Sequence, residues 1–379
     1  MLANDRTLAD ALERFAEILG WQIPAERQLD VRPLAARRLR AAASSELRRD
    51  NWLDLHLAEL AAGPDALALP AATEVTSQTI TIETRAPLTP AERDARGQWF
   101  DAAAGFATYV SAPAHGATYV VHTGDRRIGR RLYASQHRGE METVDTVVAI
   151  LRDRALLEQA LAGSFLDIGA NIGTSTVHAL INHGFAGAVA CEPAPENMRM
   201  LRMNLEMNGL GDRTSVFEVA LSDQAGSIDL DLSPENWGDH RVVPTDGDDL
   251  SRGGKRLRVR RTTVDRLVAS RMKTRAPGLL WVDVQGHEAA VLRGAEGLRS
   301  AGVPSVIEFY PKLLKSRQSV RELEQAIKAV PSVVIDLRTV AGDGGKGVPS
   351  DEIQRLSSRY LRSGRVTDLL LLPLEPDGV

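Results

Sequence analysis

Two short stretches carry residue types that could hold a nucleoside-bearing ligand. In FLDIGANIGTSTVHAL (165–180) an apolar run ends in Asp-Ile-Gly-Ala-Asn-Ile-Gly and passes directly into a helical pattern. Gly169 permits a tight turn, Gly173 permits close approach of the helix, and Asn171 tolerates left-handed backbone geometry. Small residues at these points leave room for a ligand against the turn. AVACEP (188–193) then ends in Glu192, 25 residues beyond Asp167. An acid at the end of a second strand can accept hydrogen bonds from both hydroxyls of a ribose. A nicotinamide dehydrogenase uses the same device but needs Gly-x-Gly-x-x-Gly, whereas position 171 is Asn and position 174 is Thr.

Such residues must sit at the ends of strands, and the chain supplies them. Beyond Leu161, short apolar runs alternate with helical segments: FLDIG (165–169), AVACE (188–192), VFEVAL (216–221), LLWVDV (279–284), SVIEF (305–309), SVVIDL (332–337) and TDLLLLP (367–373). Near-continuous apolar strands separated by helices predict a mostly parallel sheet covered on both faces. Upstream, Leu8, Leu12, Phe15 and Leu19 recur at helical spacing between Thr7 and Gly20, and a second helical stretch runs from about 33 to 60. Its arginines, among them Arg37, Arg38, Arg40, Arg48 and Arg49, alternate with Glu46, Asp50, Asp54 and Glu59, the pattern of a solvated face. AAGPDALALPAAT (61–73) reads as a linker, TITIET (79–84) as a strand, and 117–134 as a β-hairpin; a helical run extends from Met141 to about Leu161. AGDGGKGV (341–348) lacks the Walker-A spacing and is expected to be a flexible surface loop.

The 379 residues suffice for about two domains, divided here into an N-terminal helical region (1–64), a linker and mixed extension (65–116) and a catalytic-type domain (117–379). A net charge of −4 provides no field that favours nucleic acid or an anionic membrane, so neither is expected as a partner. The single cysteine, Cys191, forms no intramolecular disulfide, which points to a reducing compartment. The N-terminal stretch is interrupted by Asp5, Asp10 and Glu13, and no stretch approaches the ~18 apolar residues of a membrane span, so a cytoplasmic location is expected. The N-terminal helices offer a surface for homo-oligomer contacts.

Taken together, DIGANIG, EPAPEN (192–197), LRMNLEMNG (201–209), ALSD (220–223), NWGDHR (236–241), TTVDRL (262–267), WVDVQGHEAAVLRGAEGL (281–298) and VIEFYP (306–311) resemble the FkbM family of S-adenosylmethionine-dependent O-methyltransferases. The likeness covers roughly residues 117–373. It implies an α/β fold of the class I methyltransferase (Rossmann-like) type: a doubly wound seven-stranded sheet whose last strand is antiparallel, here with an N-terminal helical and β-hairpin extension. It also implies S-adenosylmethionine as the cofactor, with its methionine part near Asp167, Gly169, Asn171 and Gly173 and its ribose on Glu192. Ala220, Leu221 and Ser222 then border the adenine, and Asn197 bonds Glu192 or the donor. Asn204 and Asn208, four apart on the following helix, suit packing or capping.

Methyl transfer needs a nucleophile aligned behind the methyl group, an effect worth as much as ~7–11 kcal/mol in well-oriented systems. An alcohol must also lose its proton, and a positioned base adds ~10²–10⁴-fold. Within the implied fold Asp283, at the end of the fourth strand, is the first choice for that site. His240 suits a general base by its ordinary pKa, and His287 and Glu308 are the other candidates. Asp239, His240, Asp283, His287 and Glu288 could be read as ligands for a divalent cation, but no HExxH or similarly close spacing is present and no metal is expected. The expected acceptor is a hydroxyl-bearing small molecule or glycan. Base methylation is disfavoured because Asp-Val-Gln-Gly replaces the Asn/Asp-Pro-Pro-aromatic segment of amino-methylating enzymes. Two other classes remain open: a non-catalytic binding protein built on the methyltransferase fold, and a nicotinamide oxidoreductase.

Overall fold

The computed structural model describes residues 88–243, 254–271, 275–314 and 317–374. The helices expected at 7–20 and 33–60, the linker at 61–73 and the strand at 79–84 lie outside the described residues. Among the described residues no helix is long and apolar enough to cross a membrane.

The chain enters through helix α1 (Pro90–Ala103), whose first turn is closed by a capping box between Thr89 and Glu92. A hairpin follows, β1 (Tyr109–Ala114) and β2 (Ala117–His122), turning at His115 and Gly116, both with positive φ. The hairpin therefore lies one strand earlier than the sequence pattern suggested. IGRRLYA, expected as its second strand, is instead part of helix α2 (Ile128–Ser135). The reason is Asp125, whose carboxylate accepts the backbone N–H groups of Arg127, Ile128 and Gly129 and so starts a helix. Next come α3 (Gly139–Asp153) and α4 (Leu157–Ala162). Phe100 of α1, Val110 of β1 and Leu132 of α2 are buried in the same apolar core as Phe165 and Trp281 of the main sheet.

The expected alternation then unfolds: β3 (Ser164–Ile168), α5 (Thr174–Asn182), β4 (Gly187–Cys191), α6 (Pro195–Met207) and β5 (Thr214–Phe217). VFEVAL does not form one strand. It breaks after Phe217, and β6 (Ala220–Leu221) leaves for a second sheet together with β7 (Gly226–Asp231), β8 (Arg241–Val242) and β9 (Arg256–Thr262). The chain returns through α7 (Val264–Arg271), β10 (Pro277–Val282), α8 (Glu288–Arg293), α9 (Glu296–Ser300), β11 (Ser305–Phe309), α10 (Arg317–Lys328) and β12 (Ser332–Asp336). It ends with α11 (Val340–Asp343), β13 (Val348–Pro349), α12 (Ile353–Ser363) and β14 (Thr367–Pro373).

The main sheet has the order β13-β12-β14-β11-β10-β3-β4-β5. Strands β3, β4, β5, β10 and β11 run parallel, and β14 inserts antiparallel between β11 and β12. This is the implied class I order, with one addition. The sheet has eight strands rather than seven, because AGDGGKGV does not remain a loop: after α11 and the left-handed Gly344 and Gly345, Val348 and Pro349 pair with the edge of β12. From β3 the chain winds first toward β4 and β5 and later toward β10 and β11, so the switch point lies between β3 and β10, where open α/β sheets bind ligands.

Asn204 and Asn208 act as a false strand. Their side-chain amides bond the backbone of β2 as a neighbouring strand would: Val120 N–H to Asn204 Oδ1 at 2.6 Å, and Thr118 N–H to Asn208 Oδ1 at 3.0 Å, with Asn208 Nδ2 returning to the Thr118 carbonyl at 2.8 Å. Asn204 Nδ2 also donates to the Ile172 carbonyl at 2.7 Å, tying the hairpin to the glycine turn. Replacing Asn204 by Leu strands these buried backbone groups, and an unsatisfied buried polar group costs roughly 1–3 kcal/mol. Urea denaturation of Asn204→Leu should show a loss of that size or more; wild-type stability would contradict the role.

Candidate active site

At the switch point the backbones of two strands nearly touch. A Cβ on Gly169 (φ +87°) would lie 1.9 Å from the Asp283 carbonyl oxygen, so no other residue fits there. The chain then passes through Asn171 (φ +51°), whose side-chain oxygen accepts the Ile172 N–H, and through Gly173 (φ +89°), packed against Leu201. Above this turn lies a crevice of about 530 Å³ counted out to its open mouth, within the usual range for small-molecule sites. It is lined by Gly169, Asn171, Glu192, Asn197, Ala220 and Leu221, together with Trp237, His240, Asp283 and His287.

Glu192 sits 4% exposed at the end of β4. Its Oε2 accepts the Asn171 N–H at 2.9 Å and its Oε1 the Ala194 N–H at 2.8 Å. Burial pushes its carboxyl up to about 7 despite these bonds. Asn171 Nδ2 and Asn197 Nδ2 both donate to the Trp237 carbonyl, at 3.0 and 2.9 Å, and the Trp237 ring packs 4.4 Å from that of His122. These contacts hold the insertion between β7 and β8 over the crevice. Asn197 thus bonds the insertion while its side chain also acts on the Glu192 carboxylate, as expected, and its buried Oδ1 has no partner among the described residues.

Three residues expected at the donor stand behind the crevice wall. Asp167 points to the opposite face of β3, where Thr176 Oγ1 donates to it at 2.6 Å. Gly173 serves the helix contact just described. The Ser222 hydroxyl lies 3.0 Å from His287 Nε2 and 3.2 Å from Asp223.

The four candidate catalytic groups separate by geometry. His240 Nδ1 accepts the Ser233 backbone N–H at 3.0 Å, and burial lowers its pKa to about 4. The neutral ring must carry its proton on Nε2, so His240 presents a donor where a base was expected. His287, also lowered to about 4 by burial, spends Nε2 on Ser222. Glu288 accepts the Gly286 N–H at the start of α8, and Asp239 pairs with Arg241, so the five residues read as cation ligands are engaged separately.

Asp283 lines the crevice, an adjoining cavity of about 680 Å³, and a wide basin beyond it. Glu308 lines the last two. Gln285, held at φ +53°, donates Nε2 to Asp283 Oδ1 at 2.7 Å and to Glu308 Oε2 at 3.1 Å. Burial raises both carboxyls, Glu308 further because Asp283 stands beside it. Sequence reasoning passed over Gln285, Arg138 and Asp368. The one signal for Asp368 is an acid at the head of an otherwise apolar strand; Arg138 lies far outside the motif and reaches the site only through the fold.

Residues 167–329 match the model of the family described as Methyltransferase FkbM domain. Residues 167–329 are thus similar to FkbM methyltransferase domains. That finding supports the methyltransferase reading over the nicotinamide one. The chain is 30% identical over 158 residues to "Hexuronic acid methyltransferase AglP" of Haloferax volcanii, covering 41% of this chain and 56% of the relative. It is 27% identical over 154 residues to "Methyltransferase sdnD" of Sordaria araneosa, covering 35% of this chain and 60% of that protein. The chain thus spans a little over half the length of these two curated relatives. Among solved structures it is similar to an O-methyltransferase from Bacillus cereus in complex with SAH, at 16% identity and a TM-score of 0.32, covering 62% of this chain and 91% of that one.

Burial raises Asp167, Glu192, Glu288 and Asp368 each to about 7. A carboxyl raised in the folded state keeps its proton there, so its contribution is complete below the unfolded pKa near ~4 and is lost as pH climbs toward about 7. Each such group changes stability by at most ~1.4 kcal/mol per pH unit in that window. The thermal midpoint should fall between pH 5 and pH 8. Asp167→Asn, which keeps an oxygen for Thr176, should make the fall shallower; an unaltered slope would refute the assignment.

Proposed function

We propose that this FkbM-like domain is an S-adenosylmethionine-dependent O-methyltransferase acting on a hydroxyl of a sugar, polysaccharide or secondary metabolite. The observation that carries the reading is the position of Asp283, the one acid shared by the crevice under the Trp237 insertion and by the space where an acceptor can approach. The crevice fits the donor. Glu192 has carboxylate lone pairs for a ribose diol, and Asn197 Oδ1 is a buried acceptor awaiting a donor. Ala220 and Leu221 supply an apolar edge for a base. When bound, S-adenosylmethionine supplies an electrophilic methyl group.

The chain's own residues then perform two tasks. Asp283 receives the hydroxyl proton: Gln285 pins its Oδ1, no described group donates to Oδ2, and its raised pKa makes it a stronger base than an ordinary carboxylate. Trp237, clipped by Asn171 and Asn197, covers one side of the crevice.

The α2 side of the basin suits an acidic acceptor, while Asp283, Glu308 and Asp368 line the opposite part. The basin's empty space is about 2010 Å³, and Arg127 and Arg131 of the α2 region line it without carboxylate partners among the described residues. Arg130, by contrast, is held by Asp101 through two contacts of 2.8 Å. Guanidinium groups bind carboxylates and phosphates in a forked geometry. The relative AglP, a hexuronic acid methyltransferase by name, is matched to an acceptor of the same chemistry.

Glu192→Ala should weaken S-adenosylhomocysteine binding by ~10-fold or more, as expected for lost hydrogen bonds to a charged group; unchanged affinity in calorimetry would remove the ribose assignment. Asp283→Asn should lower kcat by ~10²–10⁴-fold while retaining donor binding. The wild-type rate should decline as pH drops through the raised Asp283 pKa, and a flat profile would exclude Asp283 as the base. Arg127→Ala with Arg131→Ala should raise KM for a uronate-bearing acceptor several-fold with kcat little changed; equal use of neutral and acidic acceptors would refute the acidic class.

A further inference from the structure

We infer that Asp145, His178 and His183 form a binding site for one divalent transition-metal ion, with zinc the best match, that staples α3 to the C-terminal end of α5. The inference does not depend on the donor or the acceptor: none of the three residues lines the crevice, the adjoining cavity or the basin.

The geometry is a convergence on one point. His178 Nε2 and His183 Nε2 each lie 2.7 Å from the same oxygen, Asp145 Oδ1, and the ligand atoms all fall within 4.8 Å of one another. Two imidazoles and a carboxylate are a ligand set that zinc takes with water as its fourth partner, whereas magnesium and calcium prefer oxygen throughout. Zinc at ~2.0–2.2 Å from each atom would place tetrahedral neighbours roughly 3.3 Å apart, so the two short contacts need open by only about 0.6 Å. His178 is 2% exposed, and its burial favours the neutral ring that binds metal. Asp145 is 47% exposed and His183 15%, which leaves one side open for the ion and for a water ligand.

The surroundings belong to the same cluster. His115 lies with its ring centre 5.4 Å from that of His178, and its Nε2 is 3.1 Å from His137 Nδ1, so four of the eight histidines gather here. Asn182 Nδ2 stands 3.0 Å from His178 Nδ1 and 3.1 Å from the His115 carbonyl. Metal binding takes the Nε2 lone pair of each ring, so the proton of each histidine moves to its Nδ1. In His178 Asn182 turns its amide oxygen to receive that proton, the outer contact that orients a ligating histidine, and in His183 Nδ1 faces solvent. The ring stays neutral throughout.

The staple would act at a distance from the chemistry. At the opening of α5, Thr174 Oγ1 bonds Glu140 of α3 at 3.2 Å, beside the glycine turn. A metal at the other end of α5 fixes the helix pair at both ends and so steadies the turn. His178 and His183 stand five residues apart, a spacing legible in the sequence, whereas Asp145 lies 33 residues before His178 and joins them only through the fold.

The test uses the full chain, stripped with a chelator and titrated with zinc chloride by calorimetry, with metal content read by mass spectrometry. One zinc per chain is expected, with a rise in thermal midpoint. Asp145→Asn and His183→Gln, both at partly exposed positions, should each weaken binding at least 10-fold and abolish the rise in midpoint. As a second reading that needs no variant, zinc should shift the imidazole nuclear magnetic resonances of His178 and His183 and leave that of His240 in place. Absence of stoichiometric zinc, equal affinity in both variants, or unmoved His178 and His183 resonances would each overturn the site.

Discussion

The contact between the Gly169 α-carbon and the Asp283 carbonyl is the constraint on which the rest depends. Two parallel strands must bring their carboxyl ends within van der Waals reach while the chain leaves β3 in one direction and enters β10 from the other. Only a residue without Cβ allows this, and a positive φ there turns the chain away from the sheet. The crevice above the turn is a consequence of that geometry. Asp283 is placed by the same contact, since its own carbonyl is the group against which Gly169 packs.

Around this point the protein gathers carboxyl groups whose pKa values burial raises. Asp283, Glu308 and Asp368 come from the ends of β10, β11 and β14, three strands adjacent in the sheet and far apart in the chain. Gln285 bridges the first two, and the charge of Arg138, which lines the same cavity, offsets part of the rise at Asp283. A buried acid that is reluctant to ionise is a poor contributor to stability at neutral pH but a good proton acceptor once ionised. The stability lost to these groups and the basicity of Asp283 have one physical origin.

Much of this was legible from residues alone. The glycine turn, the acid after the second strand and six of the seven expected strands were signalled by residue type and period, because those are local requirements of backbone geometry and burial. VFEVAL shows the limit: its apolar run is continuous, yet Phe217 and Ala220 serve different sheets, and no period distinguishes a strand from a strand that changes partners. The 117–134 segment failed for another reason, since the Asp125 cap outweighs the β-like pattern of the residues after it. His240 was a base by residue type and became a donor by tautomer, which a backbone N–H seven residues away decides.

By itself, then, the sequence determined the winding of the sheet, the glycine turn at its switch point and the acid that follows the second strand, because each follows from neighbours in the chain. Only the tertiary structure decided which groups meet. It set Asn204 and Asn208 against β2, closed Trp237 over the crevice, joined Asp283 to Glu308 through Gln285, and brought Asp145 to two histidines. Those encounters depend on strand order and helix packing, and side-chain chemistry at one position carries no record of what another part of the chain will bring beside it.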